Sequence, residues 1–244
     1  MKTKLNMPKV RKKEGNKQAF RNQDSINLKY AFISGILIAV LLVFSIILNL
    51  LFAENTGVLQ AASIIQNVLT IILTFYLFFG FVILGKKYSN LLKITSILII
   101  ILIVVFYLLM LFSATFFDKS LMPKLDEKVK SIGFGSATEF LDYISTNSTE
   151  SQKYTDFMMQ EVIPLILPLL ILFLCYFLIS FVLCILFGVG LIKIGNNVKY
   201  GKIAGILTIV GVCTMIIFIG IFVWLAAYVF MLIILFNESR KKII

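Results

Sequence analysis

Residues 203–236 read IAGILTIVGVCTMIIFIGIFVWLAAYVFMLIILF, and no charge interrupts them. A charge at a bilayer centre costs about 2.5–3.5 kcal/mol, so a run of this kind belongs inside a membrane. Its length is the difficulty. As one straight helix its 34 residues would rise about 51 Å at 1.5 Å per residue. The hydrocarbon core is only about 30 Å thick. The run is too long for one comfortable crossing and barely enough for two. Gly220 sits at its middle, in Phe218-Ile219-Gly220-Ile221, and a tight hairpin there would return the chain to the side it came from. Against the hairpin stands the absence of any polar residue in that turn.

Four more apolar blocks precede this one: Ala31–Ala53, Val58–Leu84, Leu91–Phe117 and Val162–Ile192. Each is long enough to cross. Of the 23 Lys and Arg and the 12 Asp and Glu, all but Lys93, in the first turn of the third block, lie outside the blocks. At 60% hydrophobic residues the chain is well above the roughly 45–50% typical of soluble domains. The expected fold is all-α, a polytopic transmembrane helix bundle of five to six spans with a short helical extracellular loop. It divides into a basic, disordered cytoplasmic tail (1–29), transmembrane helices 1 to 3 (30–117), an extracellular helical loop (118–161), transmembrane helices 4 to 5 or 6 (162–237) and a short basic tail (238–244). The run Ala31–Ala53 is too long for a signal-peptide core and no A-x-A site follows it, so it should remain as a signal anchor. Pro164 and Pro168 lie near the outer start of the fourth block, where a first-turn proline is tolerated.

Charge sets the orientation. Segment 1–29 carries nine Lys and Arg against Glu14 and Asp24, which places it in the cytoplasm by the positive-inside rule. Alternation then puts the turn Glu54–Gly57 outside, and it has no Lys or Arg. The turn with Lys86, Lys87 and Lys93 falls inside, as does the turn with Lys193, Lys199 and Lys202. The loop 118–161 falls outside, with eight acids against five Lys. Only the hairpin reading of block five also brings Arg240, Lys241 and Lys242 inside. The expected location is the cell membrane, with the lipid bilayer as solvent and anionic lipid at the basic N-terminal tail. The net charge of +11 is accounted for beside the spans, so nucleic acid is not implied.

The two inner turns resemble each other. Gly80-Phe81-Val82-Ile83-Leu84-Gly85-Lys86, followed by Lys93-Ile94, parallels Gly190-Leu191-Ile192-Lys193-Ile194-Gly195-Asn196, followed by Lys202-Ile203. Duplication of a helical hairpin is one reading. The other is that any polar turn between apolar helices collects Gly, Lys and Asn. The segment Gly188–Asn237, through Leu191-Ile192-Lys193-Ile194-Gly195, Ala204-Gly205-Ile206-Leu207 and Ile219-Gly220-Ile221-Phe222 with Trp224-Leu225-Ala226, resembles the C-terminal part of uncharacterised, mostly archaeal, multi-span membrane proteins. The resemblance covers about a fifth of the chain and implies no activity and no site residues.

In the outer loop, Leu125, Val129 and Ile132 recur at helical spacing. Ser136-Ala137-Thr138-Glu139 fits a capping box before Phe140, Leu141, Tyr143 and Ile144. Two short amphipathic helices are expected, either as a lid on the bundle or as a docking face. Asn147-Ser148-Thr149 is a glycosylation sequon on that side. Glu139 and Asp142 read as a solvated helix face rather than an acid–base pair.

The candidate site is a polar stripe in the second block. Gln60, Ser63, Asn67, Thr70 and Thr74 fall within about 80° of one helix face, with Gln66 flanking. Ser34, Ser45 and Asn49 share a face of the first block. In hydrocarbon such groups need partners, so the stripe is expected to face the bundle interior. It could line a path for a small neutral solute, or act as interhelical glue, the commoner role. Gly201, Ala204, Gly205, Thr208 and Gly211 form a small-residue face suited to close helix approach.

No His is present, and no Walker A loop or intramembrane acid. Cys175, Cys184 and Cys213 lie within apolar blocks without metal-ligand spacing. No catalytic, cofactor or metal residue is therefore nominated, and no cofactor is expected. The reading is a non-enzymatic accessory or scaffold subunit with a membrane-protein partner or a homo-oligomeric state. Its alternative is a passive permeation or facilitator protein.

Overall fold

The computed structural model describes residues 9–52, 56–117, 122–131, 163–215 and 218–241, with isolated positions between 119 and 160. Among these it is all-α. The helices are α1 (Lys9–Leu51), α2 (Thr56–Tyr88), α3 (Asn90–Phe116), α4 (Met122–Ser131), α5 (Ile163–Ile194), α6 (Gly201–Cys213) and α7 (Ile219–Arg240). Five of them, α1, α2, α3, α5 and α7, are long and apolar enough to cross a membrane. They leave a large area of Ile, Leu, Val and Phe exposed, as lipid-facing helices do. The expected disordered tail is helical from Lys9. Once the apolar span is helical, extending it into Lys- and Arg-rich sequence needs no new nucleus.

The 34-residue block folds as a hairpin. α6 ends at Cys213, and α7, which packs back against it, begins at Ile219. The Thr214 carbonyl accepts from the Gly220 amide at 3.1 Å, and the Phe218 amide donates to Met215 at 3.2 Å. The bend needs no polar side chain because the backbone closes on itself. Gly220 is not its apex but its closest contact, since a Cβ there would overlap Met215 and the Gly211 carbonyl. Phe218 takes a left-handed φ of 58°. The 13 residues of α6 rise about 20 Å, well short of the hydrocarbon core. The exposed tip residues, Phe218, Ile219 and Phe222, are all apolar and suit lipid tails better than water.

The chain forms two compact units, Met1–Ile101 with Phe181–Ile244, and Leu102–Ser180. In the first, α1 packs on α2 and α7, and α6 on α7. The α1–α2 seam runs through Gly80 on Ala31 and Leu77 on Gly35. Phe81 and Phe187 meet edge to face at 5.3 Å, joining α2 to α5. The small-residue face of α6 is buried as expected, with Gly205 against the Gly188 carbonyl. The two inner turns share one local device. A Cβ on Gly85 would overlap Lys93, and a Cβ on Gly195 would overlap Lys202. In each, glycine lets the first helix end against the lysine that leads into the next.

In the second unit, Phe106 of α3 and Tyr176 of α5 stack at 5.3 Å. Val129 of α4 is fully buried. One bond of the capping box forms, the Glu139 amide donating to Ser136 Oγ at 3.2 Å, while the Glu139 carboxylate accepts from the Gly135 amide at 2.8 Å, one residue before the N-cap. The helix expected to follow, and Asn147, lie outside the described residues. Pro168 sits inside α5 rather than in its first turn, because the helix starts at Ile163.

Candidate functional site

Two groups of described polar side chains in the first unit bear on function. The first lies at the end where α1, α2 and α7 meet. Ser25 Oγ of α1 donates to the Ser239 carbonyl of α7 at 2.8 Å. Tyr88 Oη, the last residue of α2, donates to Glu238 Oε2 at 3.0 Å. These two bonds put the start of the first span, the α2–α3 turn and the end of α7 on one side of the bundle. That is the arrangement the hairpin reading requires. Arg240 and Lys241 thereby join Lys86 and Lys87 at a common basic end, with the Arg240 guanidinium 4.1 Å over the Phe236 ring.

Glu238 is the centre of this end. It is 5% exposed. Burying a carboxylate costs several kcal/mol unless it is paired and hydrogen-bonded. Here Oε2 has the Tyr88 hydroxyl and, at 3.9 Å, Lys87 Nζ, while Oε1 faces the ammonium of Lys241. The hydrogen bond from Lys241 to Glu238 holds that ammonium above the ordinary lysine range. With Tyr88 and Lys87 at the end of α2 and Lys241 just past its own helix, Glu238 pins the end of α2 to the end of α7. Sequence reading missed it. A lone acid among three bases reads as a solvated tail, and only the convergence of the helices buries it.

The second place is the stripe on α2. The Gln60 side chain lies outside the described residues. Ser63 and Asn67 are exposed, and Thr70 and Thr74 are half-buried. Thr74 Oγ1 donates to the Thr70 carbonyl at 2.6 Å. Asn49 is also exposed and bonds back along its own helix, from Nδ2 to the Ser45 carbonyl at 2.8 Å. Asn49 and Thr74 therefore each bond within their own helix rather than across the pair. The flanking residue Gln66 makes the crossing instead, from Nε2 to the Leu41 carbonyl at 3.3 Å. The reason is register. Gln66, Leu73 and Gly80 repeat every seven residues along the α1 seam, and Asn67, one residue on, points about 100° away. The expectation that the whole stripe faces the interior thus fails at Ser63 and Asn67, in this chain taken alone.

Three buried hydroxyls of this unit, Thr95, Ser96 and Thr208, donate to carbonyls of their own helices at 2.9, 2.7 and 2.7 Å. Such bonds satisfy the group without presenting it to a solute. Among the described residues no three His, Cys, Asp or Glu stand close enough to hold a metal. Comparison with protein-family models, with curated proteins and with solved structures finds nothing that matches this chain.

Proposed function

We propose that this protein is a non-catalytic accessory or scaffold subunit of the cell membrane, with its basic end in the cytoplasm. It acts through contacts with another membrane protein. One observation supports this above others: Glu238, the one acid buried among the described residues, is closed off by Tyr88, Lys87 and Lys241. A general acid or base needs an open approach to its proton. A transport carboxylate needs to be released and recaptured. Glu238 serves instead to hold helices together. The basic end, with Lys29, Lys86, Lys87 and Arg240 exposed, suits anionic lipid, worth about 1 kcal/mol per basic residue near the surface.

The test is extraction into native lipid discs followed by mass spectrometry of what co-purifies. A recurrent protein of different sequence at fixed stoichiometry is the expected result. The chain alone, or only with itself, would sink the accessory reading. Solute flux through purified protein in vesicles would favour a facilitator instead.

A further inference from the structure

The outer half of α2 carries an amide that the fold leaves unanswered. Asn67 is exposed, and its side chain has no partner among the described residues. It lies within the membrane-length stretch Ala62–Tyr88. Its neighbours are settled: Gln66 is bonded to α1 and Thr74 to its own helix. Around it the surface is apolar, with Ile64 and Val68 exposed. In hydrocarbon no water is available to take the two N–H groups and the oxygen of an amide. Some protein group at the same depth must do so.

All copies of a membrane protein insert in one orientation. Two copies of α2 packed side by side are therefore parallel, and a two-fold axis along the membrane normal sets each residue opposite itself. An amide is self-complementary under that symmetry, since each Nδ2 can donate to the other copy's Oδ1. Gln60, Asn67 and Thr74 recur every seven residues, the spacing that returns to one seam in paired parallel helices. A different protein would have to bring its own donor and acceptor to this depth. A second copy does so by construction.

We infer that α2 of this chain pairs with α2 of a second copy about a two-fold axis along the membrane normal, the two Asn67 amides bonding to each other. The inference rests on the reading that the chain works through contacts within the membrane, and names one of them. A partner protein would then dock elsewhere on the lipid-facing surface.

The experiment uses the full chain in native membranes with Cys175, Cys184 and Cys213 changed to Ala. Ser63→Cys, one turn from Asn67 on the same face, should give a disulfide-linked dimer on oxidation. Ile65→Cys, about 200° round the helix from it, should not. Adding Asn67→Leu to Ser63→Cys should cut the dimer by about tenfold, with the chain's thermal midpoint unchanged. Absence of dimer at Ser63→Cys, equal dimer at Ser63→Cys and Ile65→Cys, or a yield indifferent to Asn67→Leu, would each overturn the pairing. The outcome is separate from that of the disc experiment. A different protein that co-purifies with Asn67→Leu keeps the accessory reading and leaves the pairing to the cross-link. A cross-linked dimer with no other protein present keeps the pairing and removes the accessory reading.

Discussion

At Glu238 a single carboxylate decides whether the ends of α2 and α7 stay together. Replacing Tyr88 by Phe removes one donor and leaves the buried charge short of a hydrogen bond, at about 1.5–3 kcal/mol. The thermal midpoint in detergent should fall, and Glu238→Gln in the same background should recover part of the loss. The pair with Lys241 has a defined pH window. Its ammonium is held above the ordinary range, so its contribution is complete below about pH 10.4 and lost as pH rises through the raised value. The midpoint should drop more steeply above that pH in the wild type than in Lys241→Met. Lys241 is half-exposed, so the effect is modest. None of this was legible beforehand, because the partner that meets Glu238, Tyr88, is 150 positions away in the chain. The stripe was legible as a set of polar residues. Which of them meets α1 depends on a one-residue difference in register that composition does not carry.

Between helices, the decisive groups are glycines at crossings. A Cβ on Gly205 would run into the Gly188 carbonyl, whereas one on Gly35 would meet the flexible end of Leu232. Gly205→Ala should therefore cost about 1–3 kcal/mol and Gly35→Ala much less. Equal losses by thermal unfolding would contradict the packing described here. The α6 face that holds Gly205 was readable from sequence, because small residues at a spacing of three and four have few other uses in a membrane. The hairpin beyond it was readable only as a problem of length. The bonds seen beside it, from the Gly220 amide to Thr214 and the Phe218 amide to Met215, are backbone bonds, which leave no mark in the residue types.

For the whole molecule, the bonds from Ser25 and Tyr88 to the end of α7 fix both termini of the described chain on one side. Tags appended before α1 and after α7 should be reached by the same protease from the same face of sealed vesicles. A cysteine at position 135 should be labelled from the other face. A tag pair split between the two faces would require block five to be a single crossing. That at least five stretches are long and apolar enough to span was legible because charge is excluded from hydrocarbon. The hairpin tip has one more consequence. A wall of about 20 Å beside helices of full length is a hydrophobic mismatch built into one flank. Lipids along that flank must tilt or shorten to meet it, so the surrounding bilayer dimples there. Shorter-chain lipids relieve this at α6 but mismatch the full-length helices, so refolding yield should peak at an intermediate acyl length. The fold thereby selects the thickness of the membrane it occupies.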